Sequence, residues 1–184
     1  WYHQALVIRK KEFGPDSTVV ADQVLNIGNI YLLLKAYARA KIAFSEALAI
    51  YERKIGRNNP TVAEILHSIA NLHQTSGEYS LARQLYSEAL KINERVFGEN
   101  HKTVTGTLHN LASIHCTLGE YPLAIDCYNK ALQIRERILG PDDSQIPNLL
   151  RGIAMVYQST GNYRGAITPC IRAFDILFSK YGAL

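Results

Sequence analysis

Histidines are the side chains of this 184-residue sequence best suited to bind a metal ion or transfer a proton. Four of the six form two pairs with the same spacing of 42 positions, His67 with His109 and His73 with His115. If the sequence repeats at that step, the members of a pair lie about 10 Å apart, the spacing of packed helices. Metal–nitrogen bonds are about 2 Å long, so neither pair is expected to share a metal ion. We therefore predict no metal site and no cofactor. His73 and His115 are expected to be aromatic filling, and His67 and His109 polar groups of a binding surface.

The three cysteines do not indicate catalysis either. Cys116 follows His115 directly, so on a helix the two side chains point about 100° apart. Cys127 lies between an aspartate and a tyrosine, and Cys170 stands where other repeats have an aromatic residue. An odd number of cysteines without CxxC spacing predicts neither a disulfide framework nor a zinc site, and it favours a reducing, cytoplasmic compartment. The glycines are isolated rather than clustered, so no phosphate loop and no catalytic residue are predicted.

Composition and charge exclude further classes of protein. The sequence is 47% apolar and 20% charged, which excludes a disordered or low-complexity chain. No run approaches the roughly 18 apolar residues that span a bilayer, so no membrane partner is expected. Lys and Arg number 20 against 16 for Asp and Glu, which leaves a net charge of only +4.

The step of 42 positions that separates the histidines is a repeat period of the whole sequence. Glycine, alanine and isoleucine each recur at this step five times, in the sets Gly14, Gly56, Gly98, Gly140, Gly182; Ala5, Ala47, Ala89, Ala131, Ala173; and Ile8, Ile50, Ile92, Ile134, Ile176. Such a period predicts supersecondary units that stack on one another. We predict a single array over 1–184, made of a half repeat at 1–18 with only a second helix and a link, followed by full repeats at 19–60, 61–102, 103–144 and 145–184.

Each full repeat contains two helical patterns. The first helix is predicted at 19–34, 61–76, 103–118 and 145–160, and the second at 38–55, 80–97, 122–139 and 164–181, with a lone second helix at 1–13. Three first helices end before a glycine, whereas Lys35 stands there in the first repeat, where we expect a strained or differently closed turn. Gly28 and the alanines at equivalent positions predict close helix contacts. Because one hairpin cannot bury both faces, the predicted fold class is all-α, a right-handed superhelical solenoid of antiparallel helix pairs with the first helices lining its concave side.

The order of a small residue, Leu, Gly-x-Tyr, Ala, an aromatic residue and Ala-Leu resembles the tetratricopeptide repeat. The links at Gly56–Ala63 and Gly98–Val104 resemble those of the kinesin light chain and nephrocystin-3 subgroup, and the likeness covers essentially the whole chain. The resemblance implies an array that binds proteins. In kinesin-light-chain-like arrays, asparagines at the place of Asn26 and Asn110 bind peptide backbone.

The predicted concave surface is polar and carries little charge. Its helices hold only Asp22, Glu64 and Arg151 as charged residues, which disfavours a nucleic-acid groove and a lysine-rich carboxylate clamp. The remaining charges fall on second helices and links, where we expect them to be solvated. Amides, hydroxyls and imidazoles both donate and accept hydrogen bonds, which suits an extended peptide. The predicted partner-binding residues are Leu25, Asn26, Asn29, Glu64, His67, Ser68, Asn71, His109, Asn110, Ser113, Arg151 and Met155.

These features predict a non-enzymatic protein–protein interaction module that binds a peptide or partner protein in its concave groove, within a larger adaptor or scaffold. The alternative is a structural or sensor segment of a larger signalling protein, making mainly intramolecular or self-association contacts. Replacing Asn71 and Asn110 with alanine is expected to weaken binding without changing stability, because both side chains should point away from the helix contacts. Apolar residues on the last helix, such as Ile171 and Phe174, predict self-association or stacking on flanking repeats.

Overall fold

The computed structural model describes residues 2–182, except for the side chains of Tyr2, His3, Ala5 and Tyr181. Trp1, the start of the predicted lone helix, lies outside this range. Over the described range the chain forms nine α-helices and no strand, which confirms the all-α repeat array. The helices are α1 Tyr2–Phe13, α2 Thr18–Leu33, α3 Tyr37–Ile55, α4 Pro60–Thr75, α5 Tyr79–Phe97, α6 Lys102–Thr117, α7 Tyr121–Leu139, α8 Ile146–Ser159 and α9 Tyr163–Tyr181. Apart from the start of α1, every boundary lies within one residue of its predicted place.

The chain forms two compact units that divide between Val96 and Phe97. In the first, unit 1, α2 packs against α1 and α3, and α3 packs in turn against α4. In the second, unit 2, α7 packs against α6 and α8, and α8 packs against α9. Within each unit the first helices of its two repeats also touch, α2 with α4 and α6 with α8. Each unit therefore holds two first helices side by side.

Side-chain caps fix where the first helices of unit 1 begin. Ser17 Oγ accepts a hydrogen bond from the Val20 amide at 3.3 Å. Asn59 Oδ1 accepts one from the Thr61 amide at 3.0 Å, and Pro60 occupies the first turn, where its missing N–H is not needed. The caps satisfy first-turn amides that have no partner within the helix, and so they fix where each helix begins.

The small residues of the first helices make close contacts, as predicted. A Cβ placed on Gly28 would lie 2.6 Å from Cε1 of the Phe44 ring, so any side chain here would require the ring to shift. The equivalent residues Ala70 and Ala112 are fully buried, and Ala154 is nearly so. Helix approach at these positions is therefore set by side-chain size.

The turn after α2 closes like the turns after the later first helices, so of the two alternatives expected there, strain holds and not a different closure. After α4, Gly77 has a φ of 81°, and the next amide donates to the His73 carbonyl at 2.8 Å. After α2, Lys35 has a φ of 57°, and the next amide donates to the Tyr31 carbonyl, also at 2.8 Å. The expected strain is confirmed, because Lys35 is a non-glycine residue in the left-handed region.

Arg135 departs from the prediction that the charges of second helices are solvated. It is half-buried on α7, and its Nη1 lies 2.6 Å from Asp143 Oδ1 in the link before α8. Its Nε donates to Thr105 Oγ1 on α6 at 3.1 Å. The guanidinium therefore joins two helices and a link, and it has a structural role. The start of α6 at Lys102 adds one more basic residue to the first helices.

Candidate partner-binding site

In unit 1 the polar face of α2 carries two exposed amides. Val20 and Val24 are buried on the opposite face of this helix, which packs against the core. Asn26 and Asn29 lie nearly one turn apart and are exposed, and neither makes a side-chain hydrogen bond to another described residue. Leu25, between these faces, is half-buried and packs against the hydrophobic core. The two asparagines therefore offer hydrogen-bonding groups to a partner, whereas Leu25 contributes mainly to packing.

On α4 the corresponding polar side chains are held in internal contacts. The hydroxyl of fully buried Tyr86, on α5, donates to Asn71 Oδ1 and lies 2.9 Å from Gln74 Oε1. The His67 ring packs edge-on against Tyr86 with centroids 5.1 Å apart, and its Nδ1 lies 3.3 Å from Asn71 Nδ2. The prediction that Asn71 points away from the helix contacts is therefore wrong, because its amide satisfies a buried phenol.

Two acids at equivalent positions give the face of unit 1 a negative end. Asp22 on α2 accepts a hydrogen bond from the Tyr51 hydroxyl, and Glu64 is exposed on α4. Burial, the bond to Asp22 and the charges of both acids raise the pKa of Tyr51, which thus stays a neutral donor. Ser68 Oγ donates to the Glu64 backbone carbonyl at 3.1 Å, so this hydroxyl already has a partner in its own helix.

In unit 2 the predicted residues lie on two touching helices with a different balance of charge. His109, Asn110 and Ser113 are half-buried on α6. Arg151 and Met155 are exposed on α8, Met155 to 55%. The exposed guanidinium of Arg151 gives this face a positive charge, whereas Asp22 and Glu64 give the face of unit 1 a negative charge.

Gly152 interrupts the polar series on α8. It is buried, and a Cβ at this position would lie 2.4 Å from Cζ of Tyr128. The phenol, whose ring also meets His109 edge-on with centroids 5.5 Å apart, fills the space that a side chain would need. The position that holds Asn26 and Ser68 in unit 1 therefore offers no side chain here, as the glycine in the sequence implies.

The two histidines of the predicted site are neutral near pH 7. Burial lowers the pKa of His67 below its usual value. Burial, and then the positive charges of Arg151 and Arg135, lower the pKa of His109. Burial also raises the pKa of Tyr128 to about 12. Imidazole and phenol therefore act as neutral hydrogen-bonding and packing groups at this surface.

Two histidine–glutamate pairs were not predicted from the sequence. His73 Nδ1 lies 2.5 Å from Glu78 Oε2, and His115 Nδ1 lies 2.6 Å from Glu120 Oε2. Each pair joins the last turn of a first helix to the residue that follows the turn glycine. The expected burial holds for His73, but the carboxylate partner was missed. A signal was available, because the two repeats that lack histidine at this position also lack glutamate five residues later.

Metal-binding clusters and membrane-spanning helices are both absent from the described part of the chain. It contains no cluster of three histidine, cysteine or acidic side chains placed to hold a metal ion. Nor does any helix in that part have both the length and the apolarity needed to cross a membrane. Cys116 and Cys127 are half-buried free thiols, and Cys170 is an exposed one.

Antiparallel helix pairs that recur at a constant step along the chain, with first helices in contact, define an α-helical repeat protein. The family model described as tetratricopeptide repeat matches residues 21–95 and 103–177. The chain therefore belongs to the tetratricopeptide repeat family. No relative was found among curated protein sequences.

Solved structures share this fold. BtubC (BKLC) from P. vanneervenii is 22% identical with a TM-score of 0.87, over 100% of this chain and 73% of that one. A putative kinesin light chain from Podosopora anserina, with nearly identical TPR-like repeats, is 16% identical with a TM-score of 0.82, over 98% and 85%. MamA is 16% identical with a TM-score of 0.70, over 98% and 91%. The resemblance to kinesin-light-chain-like arrays is thus confirmed at the level of the fold.

Proposed function

We propose that this chain is a non-enzymatic interaction module that binds a peptide or partner protein on the polar face of its first helices. Membership of the tetratricopeptide repeat family supports a protein partner. The observation that carries the proposal is the pair of exposed amides on α2, Asn26 and Asn29, which have no side-chain hydrogen-bond partner among the described residues. An amide offers two donors and an acceptor, which matches the alternating N–H and C=O groups of an extended peptide. We further propose that the module works in the cytoplasm as part of an adaptor or scaffold.

The contribution of each predicted residue follows from how its polar atoms are used. Asn26 and Asn29 are proposed to bind the partner directly. Asn71 is proposed to affect partner binding indirectly, by holding the Tyr86 phenol in place, because its amide oxygen already accepts a hydrogen bond from that hydroxyl. In unit 2, Arg151 is proposed to provide a charged contact at an exposed position.

The test is a peptide-display selection against the whole chain, followed by affinity measurements on two double variants. Replacing Asn26 and Asn29 with alanine should weaken binding of the selected peptide by about 1–3 kcal/mol, or roughly 5- to 150-fold in Kd. This is the expected loss for two neutral hydrogen bonds. The matched control replaces Asn129 and Gln133, exposed amides on the second helix α7, with alanine. It should leave affinity unchanged.

Two results would contradict the proposal. Loss of affinity in the α7 control, with the α2 variant unaffected, would place the function on the second helices. Failure of the selection to yield any binder would favour the alternative, a structural or sensor segment whose contacts are intramolecular or with itself.

A further inference from the structure

A stripe of exposed apolar residues runs along α9. Ile167, Ile171, Phe174 and Phe178 are 55%, 56%, 63% and 60% exposed, and the two phenylalanine rings stack with centroids 5.7 Å apart. Their spacing of four, three and four residues places them on one face of the helix, in the pattern of a two-helix coiled-coil seam. Pro169 is buried on the opposite side of the same helix. The stripe is thus an apolar surface that faces away from the core of unit 2.

This surface distinguishes α9 from the other second helices. The equivalent positions are mostly polar in the other repeats: Lys41, Ser45, Leu48 and Glu52 on α3; Arg83, Ser87, Leu90 and Glu94 on α5; and Ile125, Asn129, Leu132 and Glu136 on α7. Only the position of Phe174 is apolar in every repeat. On α7 this position, Leu132, packs against the next repeat. The apolar residues that α9 adds therefore exceed what stacking of repeats uses elsewhere in the chain.

We propose that the stripe binds α9 of a second copy of this chain in an antiparallel pair. When two copies of the helix run in opposite directions about a two-fold axis, Ile167 lies opposite Phe178 of the second copy. Ile171 then lies opposite Phe174 of the second copy. Every layer of the seam thus pairs a medium side chain with a large one, which packs better than two phenylalanines or two isoleucines in register. Antiparallel helices also place opposite ends of their dipoles together.

The expected strength of the pair follows from its area. An aromatic or large aliphatic side chain covers about 200 Å², and about half of each is exposed here. With Leu177 at the flank, which is 45% exposed, each copy would bury about 500 Å², so the interface would total about 1,000 Å². That lies at the lower limit of specific interfaces, so we expect a weak, reversible dimer. The pair uses none of the residues proposed to bind a peptide, so the two proposals can fail separately.

The first test is sedimentation equilibrium of the chain from about 1 μM to 1 mM. The unaltered chain should pass from monomer to dimer. Ile171→Glu should weaken the dimer at least tenfold, because it places two carboxylates in the central layers of the seam. The matched control is Ile42→Glu on α3, since Ile42 is also an exposed isoleucine of a second helix, at 69%. Circular dichroism should show both variants to be folded, since each side chain is exposed.

The second test fixes the direction of the pair by disulfide formation. Ile167→Cys and Phe178→Cys are prepared separately, each with Cys170→Ser, and oxidised alone and as a mixture. In the antiparallel pair a disulfide dimer should form only in the mixture. Within one variant the two thiols would be 11 residues apart along the seam, about 16 Å, which is beyond disulfide reach.

Three outcomes would overturn the proposal. A chain that stays monomeric at 1 mM would leave the stripe to a different partner. A dimer that survives Ile171→Glu would use another surface. Disulfide dimers of Ile167→Cys alone would show a parallel pair.

Discussion

Replacing Gly152 with alanine tests how rigidly unit 2 is packed. A methyl group there would lie 2.4 Å from Cζ, 2.6 Å from Cε1 and 2.8 Å from the hydroxyl of Tyr128. Relief requires the phenol ring to move by a substantial fraction of an ångström, although it is already in edge-on contact with His109. Overpacking of this kind costs about 1–3 kcal/mol.

The matched control is Gly106→Ala on α6. A Cβ at Gly106 meets no other atom within 4 Å, so this variant should gain only the helical preference of alanine over glycine, about 1 kcal/mol. Gly152→Ala gains the same preference but adds the overpacking cost. The free energies of unfolding of the two variants should therefore differ by about 1–3 kcal/mol, with Gly106→Ala the more stable.

The assay is urea unfolding followed by circular dichroism, combined with ultraviolet titration of the tyrosines. If Gly152→Ala displaces the phenol toward water, the pKa of Tyr128 should fall from about 12 toward its ordinary value of 10. Equal stabilisation by the two alanines, with the titration of Tyr128 unchanged, would show that the ring yields without cost. Close packing against Tyr128 would then not limit the size of the residue at position 152.

Three further predictions each concern a single side chain. Lys35→Gly should raise the free energy of unfolding, measured in urea, by about 0.5–1 kcal/mol. Relief of the left-handed backbone strain at Lys35 outweighs the greater conformational freedom that glycine gives the unfolded chain. A lower free energy of unfolding would show that Lys35 is not strained. Arg151→Ala should raise the pKa of His109 in an NMR titration, because the guanidinium helps to lower it. That lowered pKa makes stability fall as the pH drops below about 6.5, and Arg151→Ala should reduce this fall. Asn71→Ala should cost about 0.5–1.5 kcal/mol, and its effect should largely vanish when Tyr86 is already phenylalanine, as a double-mutant cycle would show.

The sequence predicted the helices closely because each depends on signals that recur with the period of the repeat. Apolar periodicity, the glycines that end the first helices and proline in the first turn of α7 all act locally. Close packing at Gly28 was also predictable, because equivalent positions carry only glycine or alanine. Regularities that recur in each repeat are thus visible without any structure.

The individual partners of polar side chains were harder to predict. Asn29 and Asn71 occupy equivalent positions, yet one is exposed and the other is bonded to Tyr86. The difference arises on the second helix, where Phe44 of the first repeat has no hydroxyl to donate. Whether an amide faces solvent therefore depends on a residue 15 positions away, which the periodicity of its own helix does not reveal.

The short reach of the helix contacts bears on how the chain folds. In unit 1, α2 packs against its neighbours α1 and α3 and touches α4, and in unit 2, α6 packs against α7 and touches α8. Contacts between segments so close in sequence need little loop-closure entropy, and proteins rich in them fold in microseconds to milliseconds. Each helix pair can therefore form as soon as its second helix has left the ribosome, with no wait for distant segments. During synthesis the apolar face left open would then be that of the newest pair, until the next pair stacks on it.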